Sequence, residues 1–170
     1  INQMSYQENR KYIISKFPFL RNLERYDKII PKVLSTLVWP LYKPKKVNYN
    51  GKVFFLSKHE YPNPSRDLFA YKNIYNNYEK KILETYLKKN SNCIDVGANI
   101  GFFTYLFLKK IGQRGQIYSF ENNPGVFSIL KKNFIGNSNI IFKLGKVGIN
   151  KIEIIIDKII NCNFDFIKID

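Results

Sequence analysis

The residues best equipped for chemistry sit at the ends of short apolar runs. Cys93-Ile94-Asp95-Val96 leads into a glycine-containing loop, Gly97-Ala98-Asn99-Ile100-Gly101. Glycines at 97 and 101 let the backbone turn tightly and let a ligand approach the main chain. A helical pattern opens at Phe102, and a helix amino terminus, with its N–H groups and dipole, favours an anion. Glu121 closes the next apolar run, where a carboxylate suits a pair of ribose hydroxyls. Asp170 closes the last run and is the one visible candidate for a general base at such a strand end. It is equally compatible with a residue that serves only the strand edge.

An anion site beside a diol site fits two classes of ligand. In S-adenosylmethionine the anion is the methionine carboxylate, and Phe102, Phe103 and Tyr118 offer aromatic surface to its sulfonium. A dinucleotide would place its pyrophosphate there, but that fingerprint wants G-x-G-x-x-G. Here Asn99 occupies the middle glycine position and the spacing is Gly97-x-x-x-Gly101. Glu121 fits both ligands. The Asp-x-Gly-x-x-x-Gly pattern favours the methyl donor. A glycine loop holding no ligand is the remaining alternative.

The elements that must position these residues alternate. Asn76 to Lys89 carries Tyr78, Ile82, Leu83, Tyr86 and Leu87 at helical spacing. Cys93 to Val96 is expected as a buried strand, Phe102 to Ile111 as a helix and Gln116 to Glu121 as a second strand. Asn123 caps a further helix with Pro124 at its first position. Ile140 to Leu144 and Phe164 to Asp170 are further strands. Such alternation means an α/β fold with a mostly parallel sheet and flanking helices, whose ligands bind at the carboxyl ends of the strands. Before it, Asn48-Tyr49-Asn50-Gly51 is expected as a turn preceding a strand from Lys52 to Leu56. Residues 1–50 are expected to form a helical accessory segment cut by Pro18, Pro31 and Pro40, with the ligand-binding domain over 51–170.

Asp95-Val96-Gly97-Ala98-Asn99-Ile100-Gly101 resembles the first motif of the FkbM family of methyltransferases. Tyr78-Glu79, Phe120-Glu121-Asn122-Asn123-Pro124 and Asp165-Phe166-Ile167-Lys168-Ile169-Asp170 resemble further family segments in the same order. The resemblance covers Tyr78 to Asp170, and more weakly Lys52 to Ser65. It implies a Rossmann-like class I methyltransferase fold and methyl transfer from S-adenosyl-L-methionine, usually to a hydroxyl of a sugar, glycolipid or natural product. It also implies that Asp95, Gly97, Ala98, Asn99, Gly101, Glu121 and Asn122 are donor-binding positions. The family pattern continues past Lys168-Ile169-Asp170 with Val-Glu-Gly, and this sequence is contracted between Leu144 and Ile152. The expectation is a donor-binding half with much of the acceptor-binding half absent. A chain opening on Ile1 is likewise expected to be a fragment or a processed product.

Composition bounds these readings. The 170 residues, 45 % of them hydrophobic, with 14 Phe and 12 Tyr, suffice for a globular core. The net charge of +15 invites nucleic acid or a membrane surface. The basic residues are nevertheless spread along the chain as surface pairs such as Lys88-Lys89, Lys109-Lys110 and Lys131-Lys132, and Lys43-Pro44-Lys45-Lys46 reads as a solvated turn. No nucleic-acid partner is expected, and peripheral membrane contact stays open. Cys93 and Cys162 have no metal-ligand spacing, and no metal is expected. His59, in a Tyr/Pro-rich loop, reads as solvated surface. The apolar stretch from Ile29 to Tyr42 is too short to span a bilayer, no secretory signal is visible, and a cytoplasmic location is the default. A binding module without an acceptor site and a nicotinamide or nucleotide enzyme stand as the rival functions.

Overall fold

The computed structural model describes residues 45–57, 68, 77–148 and 163–169. The chain divides into two units, Ile1–Ile74 and Tyr75–Asp170. In the first, β1 (Lys46–Tyr49) and β2 (Lys52–Phe55) pair antiparallel, with Tyr49 opposite Lys52. The intervening Asn50 and Gly51 have φ of 47° and 84°, the positive values that let a two-residue loop match the twist of its strands. Asn48 Oδ1 accepts the Gly51 N–H at 3.1 Å. The turn and β2 follow the sequence pattern, whereas β1 does not. Lys46, expected in a solvated turn, opens this strand, its ammonium 4.6 Å from the centroid of the Phe55 ring. The hairpin therefore straddles the boundary expected at 50/51. The polar pattern of Lys46-Val47-Asn48-Tyr49 conceals a strand because its pairing partner, rather than its own hydrophobicity, holds it in place. The helical segment expected before it, His59 and Cys162 lie outside the described residues.

The second unit begins with α1 (Asn77–Tyr86) and continues through β3 (Cys93–Val96), α2 (Phe102–Ile111), β4 (Ile117–Glu121), α3 (Pro124–Asn133), β5 (Ile140–Leu144) and β6 (Phe166–Ile169). The four strands form one parallel sheet in the order β5-β4-β3-β6. The chain steps from β3 through β4 to β5 on one side, then returns to lay β6 on the other. This is the Rossmann-like arrangement that the alternating pattern predicts. The order in which strands are added reverses between β3 and β6, and sheets of this kind bind ligands at such a switch point, outside the carboxyl ends of the strands. Segment 149–162 lies outside the described residues.

Alternation along each strand divides the side chains between two faces. Ile94, Val96 and Phe120 form a core on one face, with Tyr118, Val147 and Phe164 packed against it. On the other face α2 lies over β3 and β4, and α3 over β4 and β5. Asn123 caps α3 through its side chain, accepting the N–H groups of Gly125 and Val126 at 2.9 and 3.1 Å. Leu83 and Leu87 of the α1 region are buried, but Tyr86 is 65 % exposed and so leaves the apolar stripe assigned to it. Among the described strands β6 is an edge, with Ile167 and Ile169 exposed.

Candidate functional site

The loop from Gly97 to Gly101 emerges from the carboxyl end of β3, at the switch point. Its amides are largely spent on itself and its neighbours. Ala98 N–H donates to Phe120 O at 2.8 Å, Asn99 N–H to Glu121 Oε2 at 2.9 Å, and Gly101 N–H to Ala98 O at 2.8 Å. Ile100 N–H donates to Asn99 Oδ1 at 2.7 Å. An incoming anion is thus left to the first turn of α2, which carries no side-chain cap and no acidic residue. Asn99 adopts a left-handed conformation, φ 53°, which its short polar side chain tolerates.

Gly97 and Gly101 both have positive φ, 71° and 91°, yet they serve different ends. A Cβ on Gly101 would meet Phe134 Cε2 at 2.2 Å and Leu130 Cδ1 at 2.7 Å. This glycine therefore lets α3 pack against the start of α2. Asn133, buried at the end of α3, adds to the same junction by donating Nδ2–H to Ile100 O at 2.9 Å.

Glu121 ends β4 with its carboxylate between two loops. Oε2 takes the Asn99 amide, and Oε1 takes the Asn123 amide at 2.8 Å. A carboxylate oxygen has two lone-pair sites, so each can accept one further hydrogen bond. Glu121 is at once the clasp between the two loops and a preorganised acceptor pair for a vicinal diol. Asn122 lies exposed beside it.

Asp95 points the other way. It is fully buried on the α2 face, where Oδ2 accepts the Thr104 hydroxyl at 2.6 Å, and Thr104 Oγ1 lies 3.0 Å from Ser119 Oγ. Lys168, reaching across from β6, brings its ammonium within 3.6 Å of Asp95 Oδ1 and 3.4 Å of the carbonyls of Val96 and Gly97, over the Phe103 ring at 4.8 Å. Lys168 of β6 pairs with an acid of the neighbouring β3. Asp95 thus acts from beneath the loop, setting its shape through Thr104 and Lys168. Thr104 and Ser119 escaped notice in the sequence. Their one signal is a hydroxyl at a position that an apolar helix or strand would fill with a hydrocarbon.

Of the aromatic residues expected here, Phe103 lies beneath Lys168 and Phe102 is buried. Tyr118 is directed elsewhere: its ring packs edge-on against Phe164 and its hydroxyl donates to Gln116 Oε1 at 3.4 Å, toward the start of β4. Cys93 is buried, and burial, reinforced by the negative charges of Asp165 and Asp95, pushes its thiol up to about 12. It is a neutral packing residue, not a nucleophile. Asp170, the candidate base, lies outside the described residues. No group of three or more metal-ligating side chains occurs among the described residues, and no described helix is long and apolar enough to cross a membrane.

No protein-family model and no curated protein matches the chain. Among solved structures it is similar in part to fibrillarin from Aeropyrum pernix, described with natively bound S-adenosyl-L-methionine (28 % identity over 40 % of this chain and 30 % of that one, TM-score 0.37). It is also similar to a SAM-dependent methyltransferase from Aquifex aeolicus (25 %, 42 % and 40 %, TM-score 0.36) and to a protein-L-isoaspartate O-methyltransferase (25 %, 38 % and 22 %, TM-score 0.36). The chain spans less than half the length of each of these.

Proposed function

We propose that the second unit binds S-adenosylmethionine and that the protein is a methyltransferase. The observation that carries this reading is the Glu121 carboxylate, clasped by one amide on each oxygen at the carboxyl end of β4, next to the loop after β3. Glu121 would hold the ribose hydroxyls. Gly97, Ala98 and Asn99 would line the donor, Asn122 would flank it, and the first turn of α2 would receive the carboxylate. Asn99, with a side chain where a dinucleotide fingerprint needs glycine, speaks against a pyrophosphate at this loop. When bound, the donor supplies a methyl carbon already activated by its sulfonium. The chain's own residues orient it and take up a proton from the acceptor.

The finer reading rests on the resemblance to the FkbM family. It is transfer to a hydroxyl of a sugar, glycolipid or natural product, with Asp170 as the base that removes the hydroxyl proton. Asp170→Asn is expected to leave the affinity for S-adenosylhomocysteine unchanged while abolishing methyl release to an acceptor that the parent chain accepts. Undiminished release by that variant would remove Asp170 from the chemistry.

Calorimetric titration with S-adenosylhomocysteine and with NAD tests the main reading. Binding of NAD alone would sink it. Glu121→Ala removes a charged partner of both ribose hydroxyls, a loss of about 1.5–3 kcal/mol. S-adenosylhomocysteine affinity is therefore expected to fall roughly 10- to 100-fold, and an unchanged affinity would take Glu121 out of the site.

A further inference from the structure

The lysine pairs that look dispersed along the sequence are gathered by the fold. Lys88-Lys89 follows α1, Lys109-Lys110 ends α2 and Lys131-Lys132 ends α3. In a parallel α/β unit each helix runs back against its strands, so all three helices finish at the amino ends of the strands, opposite the candidate site. Hydrogen bonds tie these connections together. Asn90 N–H donates to Ile111 O at 2.8 Å, joining the end of α1 to the end of α2. Asn139, which follows α3, donates Nδ2–H to the carbonyls of Gly112 and Gly115, both at 3.2 Å, in the turn after α2.

All six lysines, and Arg114 in that turn, are exposed. Lys109 and Lys131 lean back along their helices, 5.6 Å from the Tyr105 ring and 4.9 Å from the Phe127 ring. Among the described residues the acids at this end are Glu84, in the last turn of α1, and Asp165, whose carboxylate accepts the Asn92 N–H at 2.8 Å. Lysines in a last helical turn offset the helix dipole. That accounts for two of the pairs, but not for Lys88-Lys89 beyond α1, nor for Arg114. Two apolar side chains stand among the cations: Ile135, directly after α3, is 80 % exposed, and Tyr86, at the end of α1, is 65 % exposed.

We propose that this amino-end face is a docking surface for an anionic lipid bilayer. Clustered ammonium groups are drawn to acidic headgroups, and exposed aliphatic and amphipathic aromatic side chains enter the headgroup boundary. A nucleic acid would answer the charge but has no use for an exposed isoleucine. Docking by this face leaves the candidate site at the opposite end of the strands.

Flotation of the full chain with vesicles tests the assignment, comparing phosphatidylcholine alone with equal parts of phosphatidylcholine and phosphatidylserine. Binding is expected to the mixed vesicles only and to weaken with salt. A near-surface lysine contributes about fivefold to partitioning. The variant Lys88→Ser/Lys89→Ser/Lys131→Ser/Lys132→Ser, whose changes are all exposed, is therefore expected to lose on the order of several hundredfold, with an unaltered far-UV circular dichroism spectrum. Ile135→Ser should weaken the binding that survives high salt. Equal binding to both vesicle types, absence of binding to either, or undiminished binding by the quadruple variant would overturn the proposal. So would retardation of a mixed-sequence RNA by a chain that does not float with vesicles.

Discussion

Lys168→Met is expected to destabilise the protein by about 3–5 kcal/mol, because it leaves a buried carboxylate without its cation. Asp95 is fully buried, and the Lys168 ammonium, 12 % exposed, lies 3.6 Å from its Oδ1. Water cannot replace that charge at a site closed by α2, β4 and the Phe103 ring. The same ammonium reaches the carbonyls of Val96 and Gly97, so the loss extends to the turn that opens the candidate site. The double variant Asp95→Asn/Lys168→Met removes both charges, and most of the stability should return, with the Thr104 hydroxyl still engaged by the amide. Urea unfolding of the four proteins of this cycle measures the coupling. A single Lys168→Met variant within about 1 kcal/mol of the parent would show that the pair contributes no more than an exposed one.

The second large effect is expected at Gly101. Gly101→Ala meets two penalties. A φ of 91° is strained for any residue with a Cβ, at about 1–2 kcal/mol. The new methyl would also lie 2.2 Å from Phe134 Cε2 and 2.7 Å from Leu130 Cδ1. Phe134 is 1 % and Leu130 0 % exposed, so neither can swing into solvent, and overpacking of this kind costs about 1–3 kcal/mol more. Gly136→Ala separates the two causes. Its φ is 86°, close to that of Gly101, but a Cβ there meets nothing within 4 Å, so only the backbone penalty applies. Gly101→Ala should therefore unfold at distinctly lower urea than Gly136→Ala. Equal midpoints would mean that α3 yields without cost and that the close packing at Gly101 is incidental. Reduced ligand affinity in Gly101→Ala, without loss of stability, would return this glycine to the ligand's side of the loop.

These two residues mark where sequence and tertiary structure part company. The pattern Cys93-Ile94-Asp95-Val96 is a strand in both. Phe102 to Ile111 is a helix in both, and Asn123-Pro124 starts a helix in both. Apolar periodicity, capping side chains and glycine turns act within a few residues of each other, so the chain declares them locally. The parallel character of the sheet also follows from its alternating strands and helices, because only long crossovers can join parallel neighbours. Glu121 stands out for the same reason, as a carboxylate at the end of an apolar strand.

Tertiary structure decided everything that depends on which distant segments meet. At Gly101 only the fold shows that α3, 29 residues or more further along the chain, is laid against the place a side chain would take. Asp95 reads as an acid in an apolar strand, and only the fold encloses it between Thr104 and Lys168. Lys46 reads as a turn until β2 pairs with it. The lysine pairs read as scattered surface until three helix ends converge. The loop from Gly97 to Gly101, conspicuous in the sequence for its glycines, therefore owes its local turn to those glycines. It owes its shape to the Glu121 clasp, to Lys168 and to α3, since short-range preferences set the conformation of a segment while only packing and charge across the fold determine what that segment faces.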